Sequence, residues 1–497
     1  MEAGVFLGID HGGSTTTALV YDPERGKRGT GSVRMPKRTP QVGWVEHHPQ
    51  DFLQTSIAAA IAALEDADLT WHDVEAIGIA NQGETSMAWS KDSGIAIGPA
   101  ISWEDKRTSG LCSALAEEGL DRLVRARTGI FLDPYFSATK FKWLVENLPD
   151  AKREFERGTL ALGGTDSYVI YQLTNGEVHA TDAATASRMA LFDLRGVHWD
   201  TDLLKGFGLS VKAVPEIRPT CGDFGRVRHQ DVPSSRVRIT ADAVDAHAAL
   251  FAQGCWDNTS VKATYGTGAF IETNTGAAPV EPDGRLLVFI AWDVEGQLDY
   301  TVEGGVFSVG SAIDWAVSTG LLSSAADSAA LAASVADSGG VSFVPCFAGL
   351  SAPHWESGAR AMITGLGLDS ERGHIARALL DGIAFRCAEV IDALNDKLGG
   401  SLREVKADGG PTGNTYLMQR QADLLDMPIV VSQEPDMTAL GAALLAAIGA
   451  GRLTRDDVQS MTLETQVYEP AMGDDERQSL WTEWRASIDL VLGRFGT

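Results

Sequence analysis

Three short runs in the chain set glycines and hydroxyls beside apolar, strand-like stretches. In Asp10-His11-Gly12-Gly13-Ser14-Thr15, an acidic residue ends the apolar run Val5-Phe6-Leu7-Gly8-Ile9. A carboxylate at a strand end can hold Mg²⁺ through water. Two glycines let backbone N–H groups approach a phosphate, and the hydroxyls add donors. Tyr265-Gly266-Thr267-Gly268 and Asp408-Gly409-Gly410-Pro411 repeat the arrangement. One such turn is usually only a turn. Three of them, each beside a strand, point to a nucleotide site. Other phosphate and catalytic signatures are missing. The Gly26-Lys27 pair is not followed by Ser or Thr, so there is no P-loop, and no His-Glu-x-x-His or Gly-x-Ser-x-Gly occurs.

A second kind of chemistry sits in Ala241-Asp242-Ala243-Val244-Asp245-Ala246-His247-Ala248, where small residues around a carboxylate permit close approach by a ligand. Spacing alone does not choose between Asp242 and Asp245 as a general base. His247 could partner such a base, although a histidine satisfied at a helix start is the commoner arrangement.

The elements that must position these residues alternate between strand and helix. Val5–Ile9 and Thr17–Tyr21 read as strands joined by the first turn. Phe52–Leu64 reads as an Ala-rich helix, and Val74–Ala80 as a buried strand ending at Asn81-Gln82-Gly83-Glu84. In open α/β sheets ligands bind at that end of the strands. The second half repeats the theme. Val261–Tyr265 pairs with Ala269–Thr273, and Leu286–Trp292 with Leu298–Val302. A long helix is expected over Ser370–Leu398, where Ile375, Leu379, Ile383, Cys387, Val390, Ile391, Leu394 and Leu398 follow a 3.6-residue period before Gly399. Ala439–Ile448 is apolar on every side, so it should be buried. The boundary between the halves is placed near residue 250, giving segments 1–250 and 251–497.

A chain of 497 residues is too long for one ordinary core, which also argues for two domains or more. Lys plus Arg number 41 against 67 Asp plus Glu, a formal net charge of −26, so sequence-independent nucleic-acid binding is excluded for want of a basic footprint. An anionic nucleotide must then be held by backbone N–H groups, helix N-termini and Mg²⁺. Five scattered cysteines without a Cys-x-x-Cys pair suggest free, mostly buried thiols in a reducing compartment. No apolar run is long enough to span a bilayer and no signal peptide is apparent, so a cytoplasmic protein is expected.

The order and content of the motifs resemble the FGGY carbohydrate kinases, and within them the glycerol-kinase branch. The resemblance runs from about Phe6 to Ala450. It rests on Asp10-x-Gly-Gly-Ser-Thr, Gly43-Trp44-Val45-Glu46-His47, Asn81-Gln82-x-Glu84-Thr85 and Asp133-Pro134-Tyr135-Phe136-Ser137-x-x-Lys140. It continues through Thr264-Tyr265-Gly266-Thr267-Gly268, Glu303-Gly304-Gly305-Val306-Phe307, Leu350-Ser351-Ala352-Pro353-His354-Trp355, Asp408-Gly409-Gly410 and Thr438-Ala439-Leu440-Gly441-Ala442-Ala443. The family implies an α/β protein of two ribonuclease-H-like, actin-like ATPase domains with the active site in the cleft between them. It implies transfer of the γ-phosphoryl group of ATP to a hydroxyl of a small polyol or sugar. Residues 1–250 would carry the substrate and first phosphate hairpin, and 251–497 the nucleotide side. Asp245 matches the family's catalytic base. Gly13, Ser14 and Thr15 match the first phosphate hairpin, and Gly266 and Thr267 the second. Gly310, Asp314, Gly410 and Asn414 match the remaining nucleotide positions, with Asp314 in place of the usual amide. Mg²⁺ would be held by Asp10 through water. Family members are commonly homodimers or homotetramers.

Glu84, Trp103, Tyr135, Asp245 and Phe270 match residues lining a glycerol pocket, but two neighbours depart from it. Gly83 stands where an Arg is usual, and Ala246 where a Gln is usual. Both missing side chains would hydrogen-bond substrate hydroxyls. Their loss weakens the implication of glycerol and leaves space, so a longer substrate such as a tetritol, a pentitol or a ketose is the expectation to test. A pentulose kinase of the same family is the alternative enzyme, which Asn81-Gln82 and Asp133-Pro134-Tyr135 disfavour. A non-catalytic ATP-binding sensor on an actin-like fold is the alternative of another class, which Glu84 and Asp245 disfavour.

Overall fold

The computed structural model describes residues 4–496. Its first sheet is built from β1 (Val5–His11), β2 (Thr15–Asp22), β3 (Gly26–Arg34), β4 (Val74–Asn81) and β5 (Arg238–Val244). The strands lie in the order β5-β4-β1-β2-β3. β1, β2 and β3 form an antiparallel meander, whereas β4 runs parallel to both β1 and β5. Nearly all of β1 is buried, which suits its continuous apolar run: a strand with helices on both faces has no wet side to alternate toward. The helix Pro49–Asp66 covers one face.

The second sheet comprises β6 (Ser260–Tyr265), β7 (Ala269–Gly276), β8 (Leu287–Val294), β9 (Gln297–Val306), β10 (Glu404–Asp408), β11 (Ile429–Ser432) and β12 (Thr465–Tyr468), in the order β8-β9-β7-β6-β10-β11-β12. Its middle five strands, β9-β7-β6-β10-β11, repeat the first sheet's pattern: two antiparallel pairings followed by two parallel ones. The chain therefore carries the same ribonuclease-H-like unit twice. The 26-residue helix Arg372–Lys397 packs on the second unit and ends at Gly399 and Gly400, both with positive φ, close to the expected span.

Two features lie outside what the pattern of the sequence indicated. Residues 82–237, between β4 and β5, fold into short helices and strand pairs, with a hydrophobic cluster around Phe136, Phe141, Leu144 and Phe207 that also takes in Leu287 and Phe289 of β8. The apolar helix Met437–Gly449 follows β11 of the second sheet yet packs on the first. A Cβ added to Gly8 would lie 1.9 Å from the Ala439 carbonyl oxygen, and one added to Gly78 would lie 2.0 Å from that of Ala442. Only glycine permits so close an approach of helix backbone to strand. The helix's opposite side meets Asp245–Ala252, where Gly441 abuts the Ala248 carbonyl. That double contact explains why the sequence is apolar all round.

Cys112, Cys255, Cys346 and Cys387 are buried, Cys221 is partly so, and all five are free thiols. Among the described residues no helix is long and apolar enough to cross a membrane.

Candidate active site

Three parallel strands of the first sheet end together and deliver the carboxylates. The register sets Asp10 of β1 against Ala80 of β4, and Val244 of β5 against Asn81. Gly83 and Glu84 follow at the end of β4, and Asp245 opens the helix Asp245–Ala252 directly after β5. Asp245 is partly exposed in the cleft, and its Oδ1 accepts from the Ala246 N–H at 2.6 Å. Burial and the nearby Glu84 carboxylate raise its pKa to about 6, against the pull of Arg188 and Lys262. Asp242, three residues earlier, is fully buried in the strand. Its oxygens accept from the Asp182 N–H at 3.0 Å and the Asn81 amide at 3.3 Å. Position thus separates the two candidate bases: Asp245 can reach a ligand and Asp242 cannot.

Asp10 is raised well above an ordinary carboxylate by burial, then by Asp245 and Asp436. Its Oδ1 is buried without a hydrogen-bond partner. A carboxylate oxygen left unsatisfied beside two further acidic groups is a place for a cation. Asp10 therefore fits the role of an Mg²⁺ carrier.

The residues matched to an acceptor pocket come together. Trp103 meets Tyr135 edge-on with ring centroids 5.8 Å apart, and Phe270 at 6.0 Å. Lys140 is fully buried and donates to the carbonyls of Glu84, at 3.0 Å, and of Tyr135. It thereby fixes two pocket residues by their backbones. Burial lowers its pKa to about 7.

Arg188 is the residue that sequence reasoning missed. It caps the short helix Ala183–Ser187 and is buried. Its Nη1 donates to Glu84 Oε1 at 2.8 Å, and its Nη2 to Glu303 and, at 3.2 Å, to His247 Nε2. The guanidinium lies 4.1 Å over the Phe289 ring. The empty space inferred at Gly83 is absent, because a Cβ there would sit 2.6 Å from Arg188 Cδ. His247 is an acceptor within this network. Burial, then Arg188 and Lys262, push its pKa down, so it is a neutral structural histidine. His247, Glu272 and Glu303 are spaced like metal ligands. Their charge is met instead by Arg188 and by Lys262, which pairs with Glu272 at 3.0 Å.

Each of the three Gly-rich turns has exposed residues. Gly13 has open space where a side chain would point, and Ser14 and Thr15 are exposed. Gln82 donates to the Gly12 carbonyl at 3.0 Å, which ties this turn to the end of β4. Gly266 and Thr267 are exposed, and their carbonyls accept from the N–H groups of Gly310 at 2.9 Å and Ser311 at 3.1 Å. The second turn is thereby seated on the start of the helix Gly310–Ser318, where Asp314 lies exposed one turn on. The third turn abuts the second. Gly409 has φ +94°, and a Cβ on it would fall 1.9 Å from the Tyr265 carbonyl oxygen. Gly410 is exposed with open space around it. Asn414 caps the helix Thr415–Leu425 through the Leu417 N–H at 3.0 Å and donates to Ser328 at 2.9 Å, so its side chain also has structural partners.

Comparison with known proteins gives a concordant result. The FGGY family of carbohydrate kinases matches through its N-terminal domain at residues 5–252 and its C-terminal domain at residues 261–450. A glycerol kinase from Thermus brockianus is 41% identical over 487 residues, covering 98% of both chains. One from Alkalilimnicola ehrlichii is 42% identical over 446 residues, covering 90% of each. Among solved structures, a Plasmodium falciparum glycerol kinase with ADP superposes with a TM-score of 0.92 at 32% identity. The match covers 99% of this chain and 98% of that one.

Proposed function

The chain belongs to the FGGY family of carbohydrate kinases and is an ATP-dependent phosphotransferase, and from that premise we propose that its acceptor is the terminal hydroxyl of a short linear polyol, glycerol foremost. The observation that carries this reading is the partly exposed Asp245 carboxylate at the same strand ends as Glu84, together with the packed rings of Trp103, Tyr135 and Phe270. Carboxylates accept from hydroxyls, and aromatic faces cover a short carbon chain. Asp245 takes the proton of the attacking hydroxyl. Glu84 orients a second hydroxyl, and the cleft holds nucleophile and phosphorus in line. Gly13, Ser14 and Thr15 on one side, and Gly266, Thr267, Gly310, Asp314, Gly410 and Asn414 on the other, would hold the nucleotide. Mg²⁺, held by Asp10, would neutralise charge on the phosphates.

Arg188 occupies the volume beside Gly83, so the pocket is not enlarged there, which favours a three-carbon acceptor. A longer polyol is the second reading. It is favoured by Ala246, a small and partly exposed residue next to the base. A panel of glycerol, erythritol, threitol, ribitol and xylulose under saturating MgATP decides between them by kcat/KM. Glycerol is expected to lead by about tenfold or more, the scale of one lost charged hydrogen bond. A four- or five-carbon polyol in the lead moves the assignment to the second reading, xylulose alone moves it to a pentulose kinase, and no ADP release with any acceptor overturns both. We further propose a division near residue 250, with the helix Met437–Gly449 returned to the first half. A reducing cytosol suits five free thiols.

A further inference from the structure

We propose that Arg188, from a segment distant in sequence, is the positioning residue that sets the acceptor pocket by fixing the direction of Glu84; the inference rests on the acceptor reading above. Arg188 Nη1 holds Glu84 Oε1 at 2.8 Å, while Glu84 Oε2 has no protein donor among the described residues. A carboxylate pinned through one oxygen offers the other in a fixed direction, which is what recognition of a hydroxyl requires. The anchor spans the molecule. Glu84 follows β4 of the first sheet, and Glu303 lies in β9 of the second. Both are tied to the one guanidinium, so Arg188 fixes Glu84 relative to either half.

Gly83 and Arg188 form a matched pair. A Cβ at 83 would lie 2.6 Å from Arg188 Cδ, so a side chain there presses on Arg188 and forces it to shift from this pose. Stability alone gives little reason for the arrangement. Burying a guanidinium between Glu84 and Glu303 costs desolvation that well-packed apolar groups would avoid. Its stacking on Phe289 and its contact with His247 fix the plane of the fork rather than merely neutralise charge.

The test uses the full chain with R188Q, R188K, G83A and R188A, and the double variant of G83A with R188A. MgADP binding by calorimetry serves as the control for folding, because the nucleotide turns do not touch Arg188. R188Q should raise the acceptor KM by about 10- to 100-fold, as loss of a charged hydrogen bond does. R188K should recover part of that loss, since lysine keeps the charge without the fork. The KM for ATP should stay within about twofold throughout. G83A should raise the acceptor KM in the presence of Arg188 and lose that effect in the R188A background. An unchanged acceptor KM in R188Q, or an equal cost of G83A with and without Arg188, overturns the inference while leaving the acceptor reading in place. If the position-188 variants fail to bind MgADP, G83A decides alone, and an unchanged acceptor KM overturns the inference. Wild-type protein that phosphorylates no member of the panel overturns the acceptor reading, and this inference with it.

Discussion

Asp245 works at the boundary between water and protein, and that position sets its pH behaviour. Burial and Glu84 raise its carboxyl to about 6, while the Ala246 N–H, Arg188 and Lys262 limit the rise. A general base acts only when unprotonated, so activity should fall as pH drops through about 6. The expected profile of kcat/KM has an acid limb near pH 6. Asp245→Asn should lower kcat by about 10³-fold, as loss of general-base catalysis does, with MgADP binding retained. A profile flat down to pH 5, or an Asn variant with near-normal kcat, would remove Asp245 from this role. What could be read at single residues was local chemistry. An acid at a strand end and glycines beside hydroxyls lie in short stretches, and the resemblance to the FGGY kinases pointed to the missing arginine at Gly83. Arg188 was not readable, because its partner Glu84 is 104 positions away and Glu303 is 115 away. No spacing rule reports a contact that only the fold creates.

Strand ends do more than present the base, because β5 also carries Asp242 into a buried acidic group. Asp166, Asp182 and Asp242 are all fully buried, and burial leads the causes that raise each carboxyl, Asp182 to about 7. The folded protein therefore holds protons that the unfolded chain releases. That contribution to stability is complete below about pH 4 and is lost as pH rises through about 7, the value for Asp182. Asp242→Asn removes one ionisable member while keeping its shape. The variant should gain Tm relative to wild type as pH goes from 5 to 8. A difference that is constant with pH would show that the group does not share protons in this way. The strands and helices with clear periodicity were legible, down to the long helix Arg372–Lys397. The insertion between β4 and β5 was not. Its helices are short, its buried residues pack partly against Leu287 and Phe289 of the second sheet, and its order comes from that packing rather than from repeated apolar spacing.

Across the whole molecule, the chain is stitched together by one helix out of place in sequence order. Met437–Gly449 completes the core of the first unit after the second sheet has laid down β11. Lys27 anchors its start through Glu434 at 2.6 Å and Asp436 at 3.2 Å. Arg452 ties the segment just beyond its end to Glu75 at 2.9 Å, and Thr240 donates to the Ala446 carbonyl at 2.8 Å. The chain then returns, pairing β12 with β11 and stacking Trp484 on Phe385 at 4.9 Å in the second unit. The apolar character of the helix was legible in the sequence, but its destination was not, since a uniformly apolar helix carries no mark of which sheet it will cover. The crossing makes the two halves interdependent. Without the helix, the contacts that bury Met437, Leu440, Leu444, Leu445 and Ile448 are lost, worth about 10 kcal/mol at about 2 kcal/mol each. That is comparable to the whole stability of an ordinary domain. Residues 1–252 expressed alone should therefore be insoluble or lack cooperative unfolding, and co-expression with residues 253–497 should restore a soluble complex. Gly8→Ala in the full chain should act in the same direction, lowering Tm, because its methyl group would meet the Ala439 carbonyl. A folded, cooperatively melting 1–252 fragment would show that the helix is dispensable to the first unit, and the proposed return of Met437–Gly449 to that unit would then have no energetic basis.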